Sequence, residues 1–331
     1  MKPAIDLLRN VLQGNRTALA QSITLLESTS TNRQFLLNRL EFIRELNNVH
    51  YEQKKPTIRI GISGSPGVGK STFIESFGMF LAEKLNKRIA VLAVDPSSAI
   101  RGGSILADKT RMPRLTAHPN AFIRPSPSRL HLGGVTQSTG ETILLCETAG
   151  YDVILIETVG VGQSEYEVHH LCDTFVLLVA PASGDELQGI KKGIVEMANI
   201  ILVTKYDGDL IIPARRMRGE IRSATKFINY QERPSVLCVS ARTEHGIEDA
   251  WKEIDSKVNG NLQAKEQRRQ EQKIGLLRIS LINELFSLLN RTLDNENYEQ
   301  RLKNNPKLSI YELVQEIIHQ DLATALSKIK Y

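Results

Sequence analysis

The sequence predicts an α/β fold, a doubly wound and largely parallel sheet with helical extensions at both ends of the chain. Six short runs carry the prediction: Ile58–Ile62, Ile89–Val94, Val153–Ile156, Phe175–Val179, Ile200–Val203 and Val236–Val239. Most are nearly continuous in aliphatic and β-branched residues, as strands covered on both faces must be. Stretches with helical apolar spacing separate them, which implies right-handed crossovers between parallel strands.

The elements divide the chain into three zones. Residues 1–54 form an N-terminal helical extension, with apolar residues at helical spacing: Ile5, Leu7, Leu8, Val11 and Leu12, then Leu36, Leu37, Leu40, Ile43 and Leu46. Lys54-Lys55-Pro56 breaks that pattern. Residues 55–258 hold the strands and their helices. Residues 259–331 form a C-terminal helical arm, in which Lys265–Lys273 reads as a polar linker. A strong helix then runs through Ile274, Leu277, Leu281, Leu285, Leu288 and Leu289, and Pro306 separates it from a last helix over Ile310–Ile329.

Composition narrows the class. The chain has 331 residues, 41% hydrophobic and 24% charged, in keeping with an ordinary globular protein. Its 42 basic and 37 acidic side chains leave a net charge of +5, which makes no independent case for nucleic acid. No stretch approaches the ~20 apolar residues of a membrane helix. The 3 cysteines, Cys146, Cys172 and Cys238, cannot build a disulfide framework and favour a reducing compartment. Asp6 and Arg9 interrupt any secretory run at the N-terminus. The expected location is the cytoplasm, or the mitochondrial matrix in a eukaryote.

Between the first strand and its helix lies Gly64-Ser65-Pro66-Gly67-Val68-Gly69-Lys70-Ser71-Thr72, which matches the phosphate-loop pattern. Glycines let the backbone curl so that successive N–H groups face phosphate oxygens, and the following helix adds the positive end of its dipole. Lys70 is expected on the terminal phosphates and the Ser71 hydroxyl on Mg²⁺. Ligands of open parallel sheets sit at the carboxyl ends of strands, where Asp95 and Glu157 stand as hard oxygen donors for that metal. After Glu157, Thr158-Val159-Gly160 offers a glycine N–H that can touch a γ-phosphate and move when it leaves.

Thr204-Lys205-Tyr206-Asp207 ends a later strand and departs from the guanine-reading Asn-Lys-x-Asp pattern only at its first position. A carboxylate at Asp207 accepts from N1–H and the amino group of guanine, and adenine leaves it unpaired. Thr204 lacks the amide of Asn, so weaker affinity is expected with base choice preserved. Ser240-Ala241 follows another strand, like the second guanine-side loop of G proteins. The residues alone leave open a Mg²⁺-dependent GTPase, a nickel-delivery GTPase, a P-loop small-molecule kinase and a switch with weakened nucleotide binding. His169-His170-x-Cys172 has no neighbouring ligand cluster and reads as a helix end. Arg215, Arg216, Arg218, Arg222 and Lys226 have helical spacing and read first as a solvated face.

Together these residues resemble the MeaB/ArgK/MMAA-type P-loop GTPases, the G-protein chaperones of adenosylcobalamin-dependent acyl-CoA mutases. The likeness is dense at Gly61–Thr72, Val94–Ser98, Gly102–Met112, Ile156–Glu165 and Gly184–Gly193. It implies that Asp95, Asp108 and Glu157 surround Mg²⁺ and the switch regions. It also implies that residues 184–193 relay nucleotide state to the mutase, with Lys191 as the contact, and that the C-terminal helices form a homodimer arm. In that family GTP binding and hydrolysis gate cofactor delivery to the mutase and protect it. Leu130 and His131 stand where the family has small residues. With no strong base or built-in arginine finger in the sequence, intrinsic turnover is expected to be slow and stimulated by the partner.

Overall fold

The computed structural model describes residues 3–28, 32–53, 56–94, 111–125, 134–158, 163–181, 192–227, 233–295 and 309. Three helices lead the chain: α1 (Pro3–Leu12), α2 (Arg16–Glu27) and α3 (Arg33–Gln53). The α/β part follows as β1 (Ile58–Ser63), α4 (Lys70–Met79), β2 (Ile89–Val94), α5 (Pro113–Ala117), β3 (Ala121–Pro125), α6 (Gly134–Thr148) and β4 (Val153–Thr158). It continues with α7 (Gln163–His169), β5 (Thr174–Val179), α8 (Lys192–Met197), β6 (Ile200–Val203), α9 (Ile211–Ala224), β7 (Ser235–Cys238) and α10 (Ile247–Asn259). The long α11 (Leu262–Asn295) ends the described helices.

The sheet has seven strands in the order β3-β2-β4-β1-β5-β6-β7, and every pair is parallel. Strands β2 and β5 are buried along their whole length, which explains their unbroken aliphatic composition. Strand β1 lies at the centre, between β4 and β5, so the loop that follows it opens onto the crevice where the winding direction reverses. Phe73, Ile74 and Phe77 of α4 pack into the core with Trp251 and Ile254 of α10, and the Phe73 and Phe77 rings stack at 5.2 Å. The site is thereby anchored from beneath by aromatic packing.

Three expectations need correction. Strand β3 was not among the predicted runs. It is a five-residue edge strand that ends on Arg124 and Pro125, and its apolar signal is only Ala121-Phe122-Ile123. The expected polar linker Lys265–Lys273 is helical and lies within α11. Its polar side chains have buried work: Arg269 bonds Asp173 at 2.7 Å through both Nε and a terminal nitrogen, Lys265 Nζ donates to Thr57 O at 2.6 Å, and Gln272 Nε2 to Cys172 O at 2.7 Å. The apolar set assigned to the second half of the N-terminal extension also does not all face inward. Leu36, Leu37 and Leu40 are exposed, whereas Phe42 and Leu46 are fully buried.

A buried ionic knot ties the amino ends of β1 and β5 to α3, α6 and α11. Arg59 clasps Glu147 with two 2.7 Å bonds, Thr57 Oγ1 donates to the same carboxylate at 2.6 Å, and Arg269 lies 3.3 Å from it. Burial alone would raise the Glu147 carboxyl, but the Arg59 charge and its bonds, with Arg269 behind, pull it down to about 2. On the other flank, Arg124 pairs with Glu27 at 2.7 Å and Arg39 with Glu141 at 3.2 Å, which fastens the leading helices to the α/β part.

The chain divides into two compact units, residues 1–131 with 135–273, and residues 132–134 with 274–331. In the second, the described part of α11 exposes Ile274, Leu277, Leu281, Ile282 and Leu285.

Candidate nucleotide-binding site

The loop after β1 takes the shape its sequence demands. Gly64 has φ +154°, and a Cβ there would lie 2.5 Å from Leu178 O of β5, so no other residue fits between the loop and its neighbouring strand. Gly69 caps α4 in the left-handed region at φ +99°. Helix α4 then begins at Lys70 with its first amides directed at the loop. Lys70 Nζ donates to Gly64 O at 2.6 Å and to Ser65 O at 3.2 Å, which places the ammonium across the loop's mouth. Burial lowers the Lys70 pKa from its ordinary value, and the carboxylates of Glu157 and Glu165 oppose that shift.

Glu157, near the carboxyl end of β4, stands beside the loop: Ser71 Oγ donates to Glu157 Oε1 at 3.4 Å. A hydroxyl and a carboxylate side by side fit a hard cation that also takes phosphate oxygens and water. Among the described residues there is no group of three His, Cys, Asp or Glu side chains able to hold a metal by themselves. Asp95, Asp108, Gly160 and Lys191 lie outside the described residues, as do Leu130 and His131.

The base-side loop is braced against the phosphate loop. Thr204 is buried, and its Oγ1 lies 2.9 Å from Val68 O and 3.2 Å from Val179 O. Val179 O already accepts from Thr204 N at 2.8 Å, so the phosphate-loop carbonyl is the better destination for the hydroxyl proton. Lys205 adopts φ +55° and its Nζ donates to Gly67 O at 3.1 Å. Ser240 Oγ donates to Asp207 Oδ2 at 2.5 Å and accepts from Thr243 N at 3.1 Å, which fixes the carboxylate's orientation. Thr204, Lys205, Asp207 and Ser240, all expected from sequence, therefore meet at one edge of the loop, with Ala241 next to Ser240 in the chain.

Sequence reasoning missed Glu165. It lies in the first turn of α7, is fully buried, and its charge acts on Lys70. Nothing in its spacing separates it from a solvated glutamate. The hydroxyl brace of Thr204 was also missed, because comparison with Asn emphasised what Thr lacks. His169 closes α7, with its ring against Phe175 at 5.8 Å and Arg268 at 3.5 Å, and burial, Arg268 and His170 push its pKa down to about 4.

A central parallel strand, a glycine loop leading into a helix, a carboxylate on the neighbouring strand and a serine-held aspartate after a later strand are the marks of a P-loop nucleotide-binding protein. The chain belongs to the family described as "Methylmalonyl Co-A mutase-associated GTPase MeaB", whose profile matches residues 19–295. It is 53% identical over 248 residues to the mouse "Methylmalonic aciduria type A homolog, mitochondrial", covering 73% of this chain and 60% of the mouse protein. It is 44% identical over 301 residues to "GTPase ArgK" of Escherichia coli, covering 88% of this chain and 87% of that one. The solved structure titled "Crystal structure of LAO/AO transport system kinase" superposes with a TM-score of 0.68 at 32% identity and covers 98% of both chains.

Proposed function

We propose that this protein is a Mg²⁺-dependent GTPase that acts as a chaperone for an adenosylcobalamin-dependent acyl-CoA mutase of the methylmalonyl-CoA mutase type. The observation that carries the nucleotide half is the cross-brace of the guanine-reading loop onto the phosphate loop through Thr204 and Lys205. Membership of a mutase-associated GTPase family supports the partner half.

In this reading the loop amides and Lys70 neutralise the β- and γ-phosphates, and the ammonium exchanges its bonds to Gly64 O and Ser65 O for phosphate oxygens. Ser71 and Glu157, with Asp95 and Asp108, hold Mg²⁺, which supplies charge neutralisation on the transferring phosphoryl group. Gly160 follows the γ-phosphate, and Lys191 contacts the mutase. The chain's own contribution is positioning and electrostatics, so intrinsic turnover is slow and the partner raises it.

The exposed stripe Ile274, Leu277, Leu281 and Leu285 on α11 supports assembly as a homodimer. No helix among the described residues is long and apolar enough to cross a membrane. The proposed location is the cytoplasm, or the mitochondrial matrix in a eukaryote, in line with the name of the mouse relative.

The test is a phosphate-release assay on the full chain with GTP and Mg²⁺, with and without the same organism's acyl-CoA mutase. Release that rises when the mutase is added supports the reading. A rate unaffected by the mutase removes the chaperone role, and transfer of the phosphate to an acceptor other than water replaces the GTPase by a kinase.

A further inference from the structure

Helix α9 carries a charge anomaly that nucleotide binding does not use. Arg215, Arg216, Arg218, Arg222 and Lys226 face a single acid, Glu220, so residues 211–227 have a net charge of +4, against +5 for all 331 residues. The helix packs on β6 and β7 through Ala214, Met217 and Ile221. On its exposed side, Ile212, Arg216, Gly219 and Lys226 follow one another at steps of four, three and seven residues, with Arg215 beside them and Arg222 on the flank toward β7. That spacing aligns the first four in one stripe over α9 and the 3₁₀ turn after it.

Outside α9, Arg39 is paired with Glu141, Arg59 with Glu147, Arg124 with Glu27 and Arg269 with Asp173, while Arg16 and Arg88 bond backbone carbonyls. Among the described residues, Arg215, Arg216, Arg218, Arg222 and Lys226 have no carboxylate partner. Arg215 Nε instead donates to the Tyr206 hydroxyl at 2.7 Å, and a terminal nitrogen of Arg222 donates to Val236 O at 3.2 Å. Concentrating unpaired like charges on one helix face costs self-repulsion, which a negatively charged partner would relieve.

We infer that this face of α9 is a docking surface for the acidic face of a protein partner. A protein fits better than the other polyanions. Ile212, 72% exposed, stands within the arginine stripe, and arginine beside exposed aliphatic surface is interface chemistry. A single isoleucine gives too little apolar surface to enter a bilayer. Location adds to the argument. Arg215 is bonded to Tyr206, which lies between Lys205 and Asp207, so a partner seated on α9 adjoins the base end of the nucleotide site.

The assignment rests on the mutase reading above, and its test separates the two. The labelled full chain, as wild type and as the Arg216→Glu/Lys226→Glu variant, is titrated with the same organism's acyl-CoA mutase from about 50 to about 300 mM salt. Neither residue takes part in nucleotide binding, so intrinsic GTP hydrolysis and melting temperature are expected to stay unchanged. The variant is expected to bind the mutase about tenfold more weakly, with a shallower salt dependence. An Arg216→Gln/Lys226→Gln variant is expected to fall between. Equal mutase affinity for wild type and both variants overturns the docking surface and leaves the mutase reading intact. No mutase binding by the wild type overturns both, as does retention on duplex DNA or anionic vesicles in place of the mutase.

Discussion

The hydroxyl of Thr204 lies 2.9 Å from the backbone carbonyl of Val68, and this contact joins the loop after β6, proposed to read the base, to the glycine loop after β1. The expectation that Thr in place of Asn weakens the site considered only the amide that is lost. A shorter side chain that still reaches the phosphate loop retains the brace. Thr204→Val removes the proton donor while keeping the shape, and leaves a buried carbonyl short of a partner at a cost of about 1–3 kcal/mol. GDP affinity measured by calorimetry is expected to fall roughly tenfold or more, with Thr204→Ser close to wild type. Equal affinities for all three chains would show that the contact carries no binding energy.

Lys70 has no replacement. Lys70→Ala is expected to lower GTP turnover about 100-fold or more, because it deletes the ammonium proposed to reach the terminal phosphates. The thermal unfolding midpoint should change little, since the bonds lost are to Gly64 O and Ser65 O at the loop's mouth.

Base choice is expected to follow Asp207. Asp207→Asn converts an acceptor pair into one acceptor and one donor, and should shift preference from guanine toward xanthine nucleotides in competition binding. Ser240→Ala, which frees the carboxylate that Ser240 Oγ holds, should reduce the GTP-over-ATP ratio without inverting it.

Acid stability is expected to depend on two buried groups. Glu147 drops from 4.5 to about 2 in the folded chain, so protonation favours the unfolded state. Its contribution is complete above about pH 4.5 and is lost as pH falls toward about 2. His169, lowered from 6.5 to about 4, acts in the same direction in a higher window, with its contribution present above 6.5 and lost as pH falls through about 4. Denaturant titrations across this range should show His169→Phe flattening the upper part of the slope. Glu147→Ala should cost about 3–5 kcal/mol at neutral pH, because it strands Arg59 in a largely buried setting, while Arg269 keeps its bonds to Asp173.

The strands and the phosphate loop were legible because their signals are local: an aliphatic run for β2 or β5, and a glycine pattern in which Gly64 has to pass Leu178 O. Asp207 and Ser240 were singled out from local patterns too, and the structure brings their side chains together. Strand β3 was not, since an edge strand of five residues needs only one apolar face and this one ends in Arg and Pro. The polar start of α11 read as a linker because its partners, Asp173 and Thr57, lie 96 and 212 residues away from Arg269. Glu165 escaped notice for the same kind of reason, as its relation to Lys70 exists only once α7 packs on β1 and β4. Long-range pairing of polar side chains leaves no period in a sequence.

Helix α2 covers the exposed edge of the sheet at β3. Asn120 O bonds inward to Ile89 N, so the next carbonyl, Ala121 O, points away from the sheet, where the Arg16 guanidinium takes it. Arg124, at the other end of the same strand, is clasped by Glu27 and Thr24. A shortened chain beginning near Thr57 would bare that margin of unsatisfied backbone, and copies would add to one another strand by strand. Loss of α2 is thus expected to raise the pelleted fraction of the protein on centrifugation, although α2 lies outside the proposed GTP site.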